Sequence, residues 1–485
     1  MSLGATLCPQ EEKIWGGECV APVTEDRRLV GSTKEPADER RARLTKQIGL
    51  VIMGSMGHFS LGATLTWPSP ALSDMATNNA TLVGTQMVLS TAEMDMTGSL
   101  VSLGSLLGSW VCGWIVTRLG RLRALQMIIV PFLLGWLANA FAPNPLVLLI
   151  ARFVLGMACG ASSVAGTLYV IELADASVRG MMASIPTLGI VLGGLYTVGL
   201  GYVLEWHYLA LVCSLPPIMF FVCTFCLPDS PSFLVVKGSP EKALKILRKL
   251  RGPYADIGSE VADLEKRNQA TSGGWRALLK RYIVMRMAVI DILFFLQQFC
   301  GNYVFMVHTS RVLQASGVRW DPDMVTVIVG VVRVLGTLVA FVLIDRTGRR
   351  YCLVLSHAIN SSALVILGIY VHLAEASQSE DDTYSRLSWI PLTCVLVVMF
   401  AINMGAHPVP FILCAEYFPT NIRGQASSLC YIFGTVFAFM GLQLYSPMQE
   451  TLSQAGLYWF YSAISCLGVI FTFLVVEETS RKAVG

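Results

Sequence analysis

Charge is scarce in this chain. Asp, Glu, Lys and Arg make up 14% of its 485 residues, against roughly 25% in ordinary globular proteins. With 54% hydrophobic residues and a mean hydropathy of +0.60, too few polar groups remain to cover a soluble surface of this size. An apolar signal-peptide core is also missing: the first 46 residues are polar and mixed in sign, so the first apolar segment is expected to act as its own insertion signal. There is no metal-ligand spacing, no nucleophile–base set and no phosphate loop, which argues against an enzyme, and nothing supports nucleic-acid binding. Of thirteen cysteines, eleven fall inside apolar stretches, and Cys223-Thr-Phe-Cys226 lies in a hydrophobic run. These read as small buried side chains. No disulfide framework, metal site or cofactor is expected.

What is abundant is apolar sequence in spanning lengths. A membrane helix needs about 20 mostly apolar residues, and twelve stretches meet that requirement. The expected fold is an all-α membrane protein of twelve transmembrane helices in two six-helix, pseudo-symmetric halves joined by a helical linker. Its expected divisions are a tail over 1–46, a first bundle over 47–227, a linker over 228–282, a second bundle over 283–475 and a short tail over 476–485. Within the linker, Ser239-Pro240-Glu241 is a helix start signal, followed by Ala243, Leu244, Leu247 and Leu250 at helical spacing. Gly104-Ser-Leu-Leu-Gly108 and Gly156-Met-Ala-Cys-Gly160 have the small-residue spacing of close helix contacts.

Basic residues set the expected orientation. Arg118, Arg121, Arg123, Arg179, Arg346, Arg349, Arg350 and Arg423 fall on the side shared by both tails, whereas Asp74, Glu93, Asp95, Glu380, Asp381 and Asp382 fall on the other. Both termini are therefore expected in the cytoplasm, in a multi-pass protein of the plasma membrane. Asn79-Ala80-Thr81 is an N-glycosylation acceptor on an expected outer loop. The similar sequon at Asn360 lies inside a span and is expected to be inaccessible.

The charged marks occur twice. Arg118-Leu-Gly-Arg121 has its counterpart in Asp345-Arg346-Thr-Gly348-Arg349-Arg350, and Glu172 with Arg179-Gly180 has its counterpart in Glu416 with Arg423-Gly424. Two similar halves facing each other across a membrane are how secondary transporters build a central site with alternating access. Carboxylate–guanidinium pairs among Arg118, Arg121, Glu172, Arg179, Asp345, Arg346, Arg349, Glu416 and Arg423 are expected to close the inner face in one state and break in the other. Thr117 precedes Arg118 where Asp345 precedes Arg346, so the first copy is expected to be the looser.

An ordered set of motifs resembles the sugar porter branch of the major facilitator superfamily, over essentially the whole chain beyond residue 47. The set comprises Arg152-Phe-Val-Leu-Gly156, Tyr169-Val-Ile-Glu172, Pro228-Asp229-Ser230-Pro231, Gln297-Gln298-Phe-Cys-Gly301-Asn302, and Gly405-Ala-His-Pro408-Val-Pro410-Phe411 with Glu416-Tyr-Phe-Pro419. Ser69-Pro70-Ala71-Leu72 and Gly301-Asn302 look most like the insect facilitated trehalose transporters. The resemblance implies facilitated diffusion of trehalose or a hexose, with a small-molecule sugar and the lipid bilayer as partners. Oligomeric state stays open, a monomer being compatible.

By the same resemblance, Gln297 and Gln298 occupy sugar-binding positions, joined by Asn302, Tyr303 and Asn403. Amides suit a sugar because they donate and accept at once. Thr187, after Pro186, stands where the family has a glutamine; Phe411 replaces a tryptophan; Gly434-Thr435 replaces an Asn-Trp pair; Val307-His308 replaces a tyrosine pair. Arg333 stands near mid-membrane in place of a neutral amide, at a cost of roughly 2.5–3.5 kcal/mol on insertion scales. It is expected either to pair with Asp291 or to face the cavity. His58 and His308 are expected to be structural.

The stretch Phe59-Ser-Leu-Gly62-Ala-Thr64-Leu contains no carboxylate where proton-linked relatives carry one, favouring facilitated diffusion. The alternatives are a proton-coupled symporter and a non-transporting sensor with the carrier fold.

Overall fold

The computed structural model describes residues 36–478 apart from 176–177, 253–254, 256, 271–277, 316–319, 377–386 and 419–421. Glu380, Asp381, Asp382 and Pro419 lie outside the described residues. Twelve helices are long and apolar enough to span a bilayer: α1 (Ala37–Met75), α2 (Thr91–Leu119), α3 (Arg121–Ala140), α4 (Pro145–Leu173), α5 (Met181–Gly201), α6 (Trp206–Thr224), α7 (Arg281–Phe299), α8 (Asp323–Ile344), α9 (Arg349–Ala376), α10 (Trp389–Cys414), α11 (Gly424–Gln443) and α12 (Tyr445–Val475). The chain is a multi-pass membrane protein. The first helix starts at Ala37, earlier than the expected 47, because Asp38 and Glu39 supply the negative charge that a helix amino terminus favours.

The halves have separate hydrophobic cores. One is built from residues of α1–α6 around Trp67, Phe132, Trp136, Trp206 and Phe220; the other, from α7–α12, surrounds Phe294, Phe305, Phe418, Tyr445 and Tyr458. Inside the first half, α2 and α4 pack nearly backbone to backbone. A Cβ added at Gly104 would collide with the Phe153 carbonyl, and one at Gly156 with the Val101 carbonyl. The two small-residue stretches singled out in the sequence therefore meet each other.

The linker forms helices over Pro231–Val236, Pro240–Arg251 and Ile257–Ala270. Ala243, Leu247 and Leu250 are buried as their spacing predicts. The linker is fastened to the first half. Arg251 donates to the carbonyls of Leu173 (2.8 Å) and Ala174 (3.1 Å) at the end of α4, and Gln47 donates to the Leu250 carbonyl at 2.6 Å. A cation at a helix carboxyl end meets carbonyls that have no partner within the helix.

Candidate functional site between the two halves

Two irregular helices place polar groups at the centre. After α7, Gly301 adopts φ 96°, and the chain resumes as short helices over Asn302–Val307 and Thr309–Ala315. This left-handed turn suits glycine and interrupts the helix beside Gln297, Gln298 and Asn302. In α10, residues Ile402–Ala406 form a π-turn closed by the His407 amide on the Ile402 carbonyl (2.8 Å). Pro408 follows without an amide hydrogen. Ser356 Oγ accepts from the Ala406 amide (2.8 Å) and donates to the Ala401 carbonyl (2.6 Å), satisfying the widened backbone.

His407 is the residue that sequence reading missed. Gln297 Nε2 donates to the His407 carbonyl at 2.7 Å and lies 3.2 Å from its Nδ1, and Asn302 Nδ2 lies 3.2 Å from the same Nδ1. Two amide donors aimed at Nδ1 require the tautomer protonated on Nε2. The only signal was the position of His407 inside the Gly405–Phe411 stretch. Gln298 is buried, and the side-chain oxygens of Gln297 and Gln298 have no partner. Phe411 forms an aromatic group with Phe294 (5.1 Å between centroids), Tyr431 and His407. Asn403 is buried, but its amide donates to the Met399 carbonyl of its own helix. Thr187 is half-buried on α5, and among the described residues no hydrogen bond joins it to the cluster.

Arg333 does not pair with Asp291. The expectation assumed that helices consecutive in sequence are neighbours, but α8 packs chiefly on α5 and α10, while Asp291 faces Cys430 on α11. Arg333 is buried and donates from Nη2 to Met306 Sδ at 3.1 Å, within electrostatic range of Tyr303 and His407.

On the face that holds Arg118 and the linker, ion pairs form inside each half. Arg121 pairs with Glu172 at 2.8 Å, and Ser230 Oγ donates to the other Glu172 oxygen. Arg349 pairs with Glu416 at 3.1 Å, and Glu478 accepts the Arg349 and Arg350 amides. Arg118 and Arg346 are exposed. The side chains of Arg179, Asp345 and Arg423 lie outside the described ones. In the conformation described, these pairs therefore do not join the halves.

Direct polar links between the halves lie on the opposite face, among the described residues. Arg311 Nη1 donates to Asp95 Oδ1 at 3.1 Å and the Ser446 amide to Asp95 Oδ2 at 3.3 Å. Ser99 Oγ donates to Gln443 Oε1 at 2.9 Å. Tyr445 stacks on His308 (4.9 Å between centroids) and receives Arg311 over its ring at 5.3 Å. His58 is buried, with Nε2 3.2 Å from Thr167 Oγ1 and its ring packed against Gly166. Asn79 is exposed in the connection between α1 and α2, whereas Asn360 is buried and bonded to the Cys300 carbonyl and Ser465 Oγ.

With this arrangement in view, comparison with known proteins places the chain. Residues 51–484 match the family described as Sugar (and other) transporter. The chain belongs to that family. It is 30% identical over 441 residues to the facilitated trehalose transporter Tret1 of Drosophila mojavensis, covering 90% of this chain and 50% of that protein. It is 29% identical over 447 residues to Tret1 of Apis mellifera ligustica, covering 91% and 87% respectively. The chain thus spans about half the length of the Drosophila relatives it matches. Among solved structures, it resembles a partially occluded inward-open conformation of the xylose transporter XylE from E. coli. That match has a TM-score of 0.74 at 20% identity, over 90% of this chain and 99% of that one. The major facilitator fold and its two six-helix halves stand on that likeness together with the twelve spans.

Proposed function

We propose that this family member carries a sugar, with trehalose or a hexose as the first candidates, across the plasma membrane by facilitated diffusion, with both termini in the cytoplasm. One observation carries the reading. At the break in α7, the amides of Gln297 and Asn302 face His407 of α10 and Gln298 is buried next to Gln297 in sequence, and the side-chain oxygens of Gln297 and Gln298 have no protein partner. Buried amides are costly to leave unmatched, so a hydroxylated ligand is the natural partner.

The two halves supply the cycle. The Asp95–Arg311–Ser446 contact closes the outer face, while on the cytoplasmic face Arg121–Glu172 and Arg349–Glu416 hold each half together. Inward closure then requires these groups, with Arg118, Arg179, Asp345, Arg346 and Arg423, to exchange partners across the seam. The absence of a carboxylate over Phe59–Leu65 favours uniport over proton coupling.

The test is uptake in a host lacking its own sugar carriers, across trehalose, glucose and fructose, with and without a proton gradient. Uptake that survives collapse of the gradient supports the proposal, and uptake that disappears with it favours a symporter. No uptake of any sugar, despite confirmed surface expression, refutes transport and favours a sensor.

A further inference from the structure

Among the described residues, two arginines, Arg152 and Arg333, are buried within the spanning helices, and their surroundings differ. Arg152 donates from Nε to the Thr97 carbonyl at 2.9 Å and from Nη2 to the Thr64 carbonyl at 2.8 Å, and its guanidinium lies over the Trp67 ring at 5.3 Å. Its charge is met by two carbonyls and an aromatic face, all from the first half. That is a structural arginine. Arg333, at 8% exposure, meets the thioether of Met306 at 3.1 Å, and its other close electrostatic neighbours are the neutral groups Tyr303 and His407. A thioether is a weak acceptor. Among the described residues no carboxylate lies within ion-pair distance of it, and Asp291 faces elsewhere.

Arg333 also lines a narrow void of about 10 Å³ on the seam, with Thr66 and Val198 from the first half and Met306, Thr309 and Thr326 from the second; this is no more than about one water's space, so a ligand enters only as the halves part. Thr66 is 4% exposed, and its Oγ1 has no hydrogen-bond partner. Gly194 packs closely against both groups: a Cβ there would come within 2.8 Å of Thr66 Oγ1 and 3.4 Å of Arg333 Nη1. A buried cation without a carboxylate, an unpartnered hydroxyl and a cavity therefore coincide between the halves. His407 connects this place to the amide cluster, being bonded to Gln297 and Asn302 and within range of Arg333.

The geometry points to a sugar acid as the preferred substrate, a hydroxylated monocarboxylate whose carboxylate meets Arg333 and Thr66 while its hydroxyls meet the amides of Gln297, Gln298 and Asn302. This inference rests on the transport reading of the same centre and narrows it. A guanidinium binds a carboxylate through two parallel N–H donors, which an uncharged hydroxyl cannot match.

The experiment is counterflow of radiolabelled D-glucuronate and D-glucose by the full chain in liposomes, beside thermal protection in detergent by glucuronate, glucose and chloride. The wild type is expected to exchange glucuronate faster than glucose. Losing one charge-assisted contact corresponds to about 10- to 100-fold, so Arg333→Gln should lower the ratio of glucuronate to glucose exchange by about that much, and Arg333→Lys should restore part of that ratio. Size-exclusion profiles matching the wild type establish that the variants are folded. Exchange of glucose but not glucuronate overturns the inference and leaves sugar transport standing. Exchange of neither overturns both. Equal loss of both substrates in folded Arg333→Gln makes the arginine structural and overturns the inference. So does protection by chloride equal to that by glucuronate, which would make the site one for a resident inorganic anion.

Discussion

Removing the carboxylate of Asp95 should open the outer face. Asp95 is 1% exposed and belongs to the first half; its partners, Arg311 at 3.1 Å and the Ser446 amide at 3.3 Å, belong to the second. A hydrogen bond to a charged group contributes roughly 1.5–3 kcal/mol net. Arg311 remains 28% exposed, so water recovers part of its solvation and the lower end of that range applies. Asp95→Ala keeps the helix and removes both contacts. In the proposed cycle they form only while that face is closed, so about 1.5–2 kcal/mol is withdrawn from that state alone, shifting the closed-to-open ratio by about 10- to 30-fold. Val307 reports the change, since it lies buried on the seam against Gly98 of the opposite half. In cells expressing Val307→Cys, a membrane-impermeant maleimide should label the cysteine about 10- to 30-fold faster once Asp95→Ala is added, while opening remains much faster than labelling. Arg311→Ala should do the same, and the double variant should add little to either single one, because both delete one contact. Unchanged labelling in Asp95→Ala, or fully additive effects in the pair, would refute the assignment of this contact as the outer closure.

Other expectations concern separate parts of the molecule. Gly104→Val should abolish folded protein, as judged by fluorescence size exclusion, because its side chain would enter the Phe153 backbone rather than a flexible group; a normal profile would contradict the close α2–α4 contact. His407→Ala removes the Nδ1 acceptor that engages Asn302 and part of Gln297. If substrate must displace that ring, KM for the transported sugar should fall by about tenfold, the value of one ordinary hydrogen bond; a rise in KM would instead make His407 a substrate contact. Asn79→Gln should eliminate the mobility shift produced by endoglycosidase in a secretory-pathway host, whereas Asn360→Gln should leave it unchanged.

Much of this architecture was legible because its causes are local. The number of spans follows from apolar length, the linker helix from Ser239-Pro240 and the spacing of Ala243, Leu247 and Leu250, and the α2–α4 contact from two small-residue stretches. The centre was only partly legible. Gln297, Gln298 and Asn302 were accessible through their motif, but the π-turn that delivers His407 depends on Ser356, which is distant in sequence and supplies hydrogen bonds that no local pattern records. Asp95 and Arg311 are likewise 216 positions apart. Arg333 stands out in the sequence as a mid-membrane cation, but of its two expected settings the Asp291 pair fails, because sequence order does not fix which helices touch. The charged repeats fall together on one face, yet their pattern could not reveal that Arg121–Glu172 and Arg349–Glu416 are each internal to one half.

The separation of the hydrophobic interior into two cores has a consequence for how mutations should distribute. Free energy of unfolding resides within each bundle, in groups such as Trp136 or Phe305 that have little to do with the seam. In the proposed transport cycle, the equilibrium between conformations resides in a thin layer of polar contacts such as Ser99–Gln443, which water can replace when the layer parts. Yield and turnover are therefore separable traits in this protein. Substitutions inside a bundle should change how much carrier reaches the membrane, and substitutions along the seam should change how fast each copy works.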